Sequence, residues 1–134
     1  MGRLADWPDR LQDHIEKWRN KKFRWGTADC SMFVLQAEKA MYGESRFQDF
    51  VGSYRSEKGS QVALAELGMG TLKETLDDRL EPILVKRAMR GDVALIDTPE
   101  GDALSLVIGQ QLAAMSKEGL IFLPLQAAKK AWRV

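Results

Sequence analysis

The stretch Phe23-Arg24-Trp25-Gly26-Thr27-Ala28-Asp29-Cys30-Ser31-Met32-Phe33 decides the fold. Asp29 is a natural N-cap, because its carboxylate can accept from the main-chain N–H groups that a helix leaves unpaired in its first turn. Met32, Phe33, Leu35, Ala37, Ala40 and Met41 continue as a mostly apolar helix. Gly43 suits the C-cap. The pattern predicts a buried helix with Cys30 in its first turn. Unpaired N–H groups and the helix dipole there favour a thiolate and lower a cysteine pKa. A thiolate is the nucleophile of cysteine hydrolases. Gly26 lets the backbone approach closely, and Trp25 can wall one side of a site.

Working outward, the first half reads as helical. Asp6 can cap a helix and Pro8 suits its first turn. Leu4, Trp7, Leu11, Ile15 and Trp18 recur at helical spacing, and the pattern fades near Asn20. A short segment follows around Phe47 and Phe50. Ser60 to Leu67 and Thr71 to Leu80 read as two more helices, split by Gly68 and Gly70. The second half reads as strands. Pro82 to Lys86 is an edge-strand candidate, Arg90-Gly91-Asp92 a turn, and Val93 to Ile96 and Leu104 to Ile108 two apolar runs. Gln111 to Met115 and Leu120 to Leu123 form a hairpin closed by Lys117, Glu118 and Gly119. Ala127 to Ala131 reads as a short helical turn before Trp132. Helices first and an antiparallel sheet second predict an α+β fold, with residues 1–134 as one domain.

Composition narrows the function classes. The 134 residues are 45% hydrophobic and 29% charged, an ordinary globular balance. Twenty Lys and Arg against nineteen Asp and Glu give a net charge of +1. No global field argues for nucleic acid or for acidic lipid. The lone cysteine cannot form an intramolecular disulfide. No apolar run approaches the ~20 residues of a membrane span. The opening Met-Gly-Arg-Leu-Ala-Asp-Trp has no apolar signal core, which predicts a chain made in a cytoplasm.

The Trp-Gly loop, the Asp29-Cys30-Ser31 triplet and the apolar helix after them resemble the nucleophile segment of the NlpC-type, papain-like cell-wall endopeptidases. Arg90-Gly91-Asp92-Val93-Ala94-Leu95-Ile96 is similar to that family's Gly-Asp strand. Leu104-Ser105-Leu106-Val107-Ile108-Gly109 is similar to the strand that follows. The resemblance implies a papain-like NlpC-type fold, a helical N-terminal half packed on a small antiparallel sheet from the C-terminal half. It implies Cys30 as nucleophile and Trp25, Gly26, Asp29 and Asp92 around the pocket. A narrower resemblance joins Phe23-Arg24-Trp25-Gly26, Asp29-Cys30, Arg90-Gly91-Asp92-Val93, Leu123-Pro124-Leu125 and Ala131-Trp132-Arg133-Val134. That set is similar to a small phage and prophage family encoded among tail-tip genes. It implies a virion protein at the tip of a siphophage-type tail, with hub and distal tail proteins as partners.

One departure bears on activity. NlpC-type peptidases place a histidine at the start of the strand after the Gly-Asp strand, to take the thiol proton and protonate the leaving amine. Laying that strand onto this sequence puts the position at Ala103. The group that orients the histidine falls near Ala113 or Ala114. The only histidine, His14, lies between Leu11 and Trp18 at the edge of an apolar stripe. It is either a packed helix residue or a relocated base. Cys30 is accordingly a vestigial thiol or a nucleophile with an unrecognised base. The corresponding functions are a structural tail-tip component and a peptidoglycan endopeptidase acting during DNA delivery. A tail-assembly factor that leaves before the virion is complete is a further class.

Other clusters carry less. Lys17, Arg19, Lys21, Lys22 and Arg24 are locally basic, which suits a solvated helix end better than a nucleic-acid face, since the rest of the chain balances the charge. Trp7, Trp18, Trp25 and Trp132 suit core or half-core positions, with Trp132 over the sheet or in a subunit contact. Asp97, Glu100 and Asp102 read as a solvated loop. No ligand spacing supports zinc or calcium, and no Gly-rich phosphate loop occurs, so no metal or cofactor is expected.

Overall fold

The computed structural model describes residues 2–134. Four α-helices come first: α1 Trp7–Trp18, α2 Cys30–Tyr42, α3 Glu57–Leu67 and α4 Leu72–Arg79. Six strands follow: β1 Glu81–Ile83, β2 Val93–Thr98, β3 Gly101–Val107, β4 Gln111–Ser116, β5 Gly119–Pro124 and β6 Ala128–Arg133. They form one sheet in the order β1-β6-β2-β3-β4-β5, and every neighbouring pair is antiparallel. The architecture is α+β, as the order of apolar patterns predicts.

Local chemistry sets the helix ends. Asp29 caps α2 through its side chain, and Gly43 closes that helix at φ 86°. A left-handed turn of this kind strains any residue with a Cβ. Ser56 caps α3 by accepting from Gly59 N, so the helix starts earlier than the expected Ser60. Thr71 caps α4 by accepting from Glu74 N. Asp6 occupies the N-cap position of α1 without a capping side-chain bond, and its carboxylate accepts from Arg10 Nε at 2.8 Å instead.

The sheet has two unlike faces. Val93, Leu95, Leu104, Leu106, Ala113, Met115 and Trp132 meet the helices in the main core. Phe33 of α2 is fully buried there, worth about 1.5–3 kcal/mol relative to exposure. Ala94, Ile96, Val107, Leu112 and Ala114 face the other way. That side is closed by two 3₁₀ turns, Val85–Arg87 and Leu125–Ala127.

The last segment departs from its sequence reading. The expected helical turn at Ala127 to Ala131 is instead the end of a 3₁₀ turn and most of β6. This strand fills the slot between β1 and β2, with a register shift between Leu95 and Ile96. Cross-strand pairing and burial override local propensity here. Trp132 is fully buried, and its indole N–H donates to Asp77 Oδ1 at 2.9 Å, tying the sheet to α4.

Candidate functional site

Asp29 organises the segment that presents Cys30. The carboxylate is 1% exposed and accepts three hydrogen bonds. Met32 N donates to Oδ1 at 2.9 Å, Gly26 N to Oδ2 at 2.8 Å, and the Tyr54 hydroxyl to Oδ2 at 2.7 Å. One side chain therefore caps α2, closes the Trp-Gly turn and anchors the loop before α3. Gly26 is required at this point. Its φ is +87°, and a Cβ built there would lie 2.1 Å from the Tyr54 carbonyl oxygen. The close approach expected of Gly26 is to this chain's own backbone. Burial, then the Asp29 charge, push the Tyr54 phenol well above its ordinary range.

Cys30 is the first residue of α2 and lies half-buried on the wall of a cleft of about 190 Å³. Trp25 lines one side and packs edge-on against Phe23 at 5.1 Å. Leu35 of α2, Phe50 of a third 3₁₀ turn, Gln48–Phe50, Phe47 just before it, and Leu64, Leu72 and Leu76 of α3 and α4 make the cleft largely apolar. Arg79 braces this wall. It binds both oxygens of Asp49, at 2.7 and 2.9 Å, and donates to the carbonyls of Arg46 and Leu67.

The expected thiolate is not favoured. Burial pushes the Cys30 thiol above its ordinary value, and the Asp29 charge adds to the rise. The main chain of Leu104 and the hydroxyl of Ser31 (3.9 Å from Sγ) act in the opposite direction without prevailing. The helix start is present, but the capping carboxylate of Asp29 disfavours a second anion.

The other site candidates scatter. Ala103 pairs with Ile96 and packs with the second apolar cluster, on the sheet face away from α2. Side chains alternate along a strand, so a register one residue off exchanges the faces. The β3 residues that line the cleft are Asp102 and Leu104. Of the two alanines on β4, Ala113 belongs to the helix face and Ala114 to the opposite one. His14 is not among the cleft residues. Its Nε2 lies 2.9 Å from the Phe33 carbonyl oxygen and donates to it, and its ring stacks on Phe33 at 5.0 Å. Burial lowers its pKa to about 4. It is a packed helix residue.

Asp92 is also outside the cleft. It is 1% exposed and accepts from Met89 N and Val134 N, with Arg3 at 3.6 Å and Arg133 at 3.5 Å. It fixes the turn before β2 to the end of β6, a structural task. Among the described residues no cluster of His, Cys, Asp and Glu could hold a metal ion, and no helix is long and apolar enough to cross a membrane.

A family model described as a domain of unknown function, DUF6950, matches residues 2–134. The chain belongs to the DUF6950 family. No curated protein matches it. Tyr54 and Glu57 were not singled out by the sequence, Leu104 was read only as the start of a strand, and Glu100 and Asp102, read there as a solvated loop, line the cleft. Tyr54 carried one local signal, an aromatic residue shortly before the Ser56 cap.

Proposed function

We propose that this chain is a papain-like, NlpC-type domain that keeps the cysteine of its fold and lacks the residue that would activate it. In this reading it is a structural component of a siphophage-type tail tip, binding hub and distal tail proteins. The observation that carries the loss of activity is Leu104. Between them, Leu104 and Asp102 are what β3 presents to the cleft beside Cys30, and neither is an imidazole. Amide hydrolysis needs a proton delivered to the leaving nitrogen, and general acid–base assistance is typically worth about 10²–10⁴-fold. A thiol held protonated by burial is a poor nucleophile as well. The tail-tip assignment is supported by the resemblance through Leu123-Pro124-Leu125 and Ala131 to Val134. Mass spectrometry of purified infectious virions of the encoding phage tests it. The chain is expected in complete particles, and infectious particles without it would refute the reading.

A second reading, a cysteine endopeptidase acting on peptidoglycan, has one observation in its favour. Cys30 stands at the start of α2, after the Asp29 cap, and lines an open cleft. Backbone N–H groups at the α2 start would then serve as an oxyanion hole, and a base would come from a partner chain. Replacing Cys30 by Ala should block infection at wall crossing under this reading. Unchanged infectivity would remove it.

A further inference from the structure

We propose that the Cys30 cleft is a docking site for a basic–apolar peptide segment, one Lys or Arg side chain beside a large apolar one. The inference does not depend on where the protein works. It rests on the size, the lining and the charge of the cleft.

The volume, about 190 Å³, is below the roughly 300–1,000 Å³ of pockets that enclose whole small molecules. It suits one or two side chains of a longer segment, the way an interface anchor fills a pocket. The floor is apolar, formed by Leu35, Phe50, Leu64, Leu76 and Leu104. The charged residues that line the cleft are all acidic. Glu57, Glu100 and Asp102 line it, and no Lys, Arg or His does. Asp102 is paired with Lys129 at 2.5 Å. Glu57 and Glu100 are exposed, and neither carboxylate is ion-paired among the described residues. An apolar floor under two uncompensated carboxylates is complementary to a cation next to an apolar group, and repels an anionic ligand. The braced Phe47–Phe50 turn and the Asp29–Tyr54 anchor hold the walls in place before binding, which keeps the ordering cost low.

The test uses the full chain, labelled with ¹⁵N, and two pooled sets of acetylated tetrapeptide amides. One set carries Lys or Arg flanked by Leu, Phe or Trp; the matched set carries Glu at the charged position. Titration of the first set is expected to move the Trp25 indole N–H and the amides of Cys30 and Leu104 in a saturable way. The Glu set is expected to leave them in place. Both rim carboxylates are exposed, so the double variant Glu57→Gln, Glu100→Gln should fold normally. It should weaken binding by about two- to thirty-fold, the range for two exposed ion pairs. Equal binding of both sets, full affinity in the double variant, shifts confined to another surface, or no shifts with either set would each overturn the proposal.

Discussion

Asp29→Ala is the most informative single substitution. Three donors lose their acceptor at once: Met32 N, Gly26 N and the Tyr54 hydroxyl. Loss of an N-cap costs about 0.5–2 kcal/mol. Leaving Gly26 N–H and the Tyr54 hydroxyl buried without partners adds about 1–3 kcal/mol each. The expected total is about 2.5–8 kcal/mol, a large share of the roughly 5–15 kcal/mol that stabilises a domain. Urea unfolding followed by tryptophan fluorescence reads this directly. With a slope of about 2 kcal/mol/M, the midpoint should fall by roughly 1–4 M at constant slope. Tyr54→Phe removes one donor and leaves the carboxylate with two main-chain partners, so it should cost only about 1–3 kcal/mol. The double variant no longer strands the hydroxyl, so its loss should be about 1–2 kcal/mol smaller than the sum of the two single losses. A loss below about 1 kcal/mol for Asp29→Ala, or strict additivity with Tyr54→Phe, would refute the reasoning, which gives the carboxylate a folding role.

Further outcomes follow from the same geometry. Alkylation of Cys30 should be slow and titrate above the ~8.5 of a free thiol; an apparent value well below that would restore an activated nucleophile. Gly26→Ala combines a φ of +87° with a Cβ 2.1 Å from a backbone oxygen, so it should cost upwards of about 2 kcal/mol, measured by thermal unfolding. His14 has its pKa lowered from 6.5 to about 4 by burial. Between these values the unfolded chain binds the proton and the folded chain does not, so stability rises with pH. The full contribution is present above 6.5, and about 3 kcal/mol is lost as pH falls to 4; His14→Gln should flatten that slope in urea titrations run at several pH values. Asp92→Ala strands Val134 N–H and Met89 N–H and leaves Arg3 and Arg133 without their carboxylate. It should cost about 3–5 kcal/mol, and a change under about 1 kcal/mol would mean the turn before β2 is held by other contacts.

The sequence by itself determined the helices and most of the strands, because their signals are local. Asp29 and Thr71 cap with their own side chains, Gly43 takes the left-handed turn, and apolar residues recur at the period of each element, although the Ser56 cap went unread and α3 starts before the expected Ser60. The hairpin of β4 and β5 was legible for the same reason, since its strands are adjacent in the chain. Only the tertiary structure decided what depends on contacts between distant segments. Local pattern gave no sign that Ala128 to Arg133 would be drawn into the slot between β1 and β2. Motif order could not say whether Ala103 or Leu104 faces Cys30, because one residue of register exchanges the faces of a strand. The Asp29 charge beside Cys30 was legible in the sequence, but the ionisation of the thiol was not, because the larger effect, desolvation, arises from packing against Tyr54, β3 and the cleft walls.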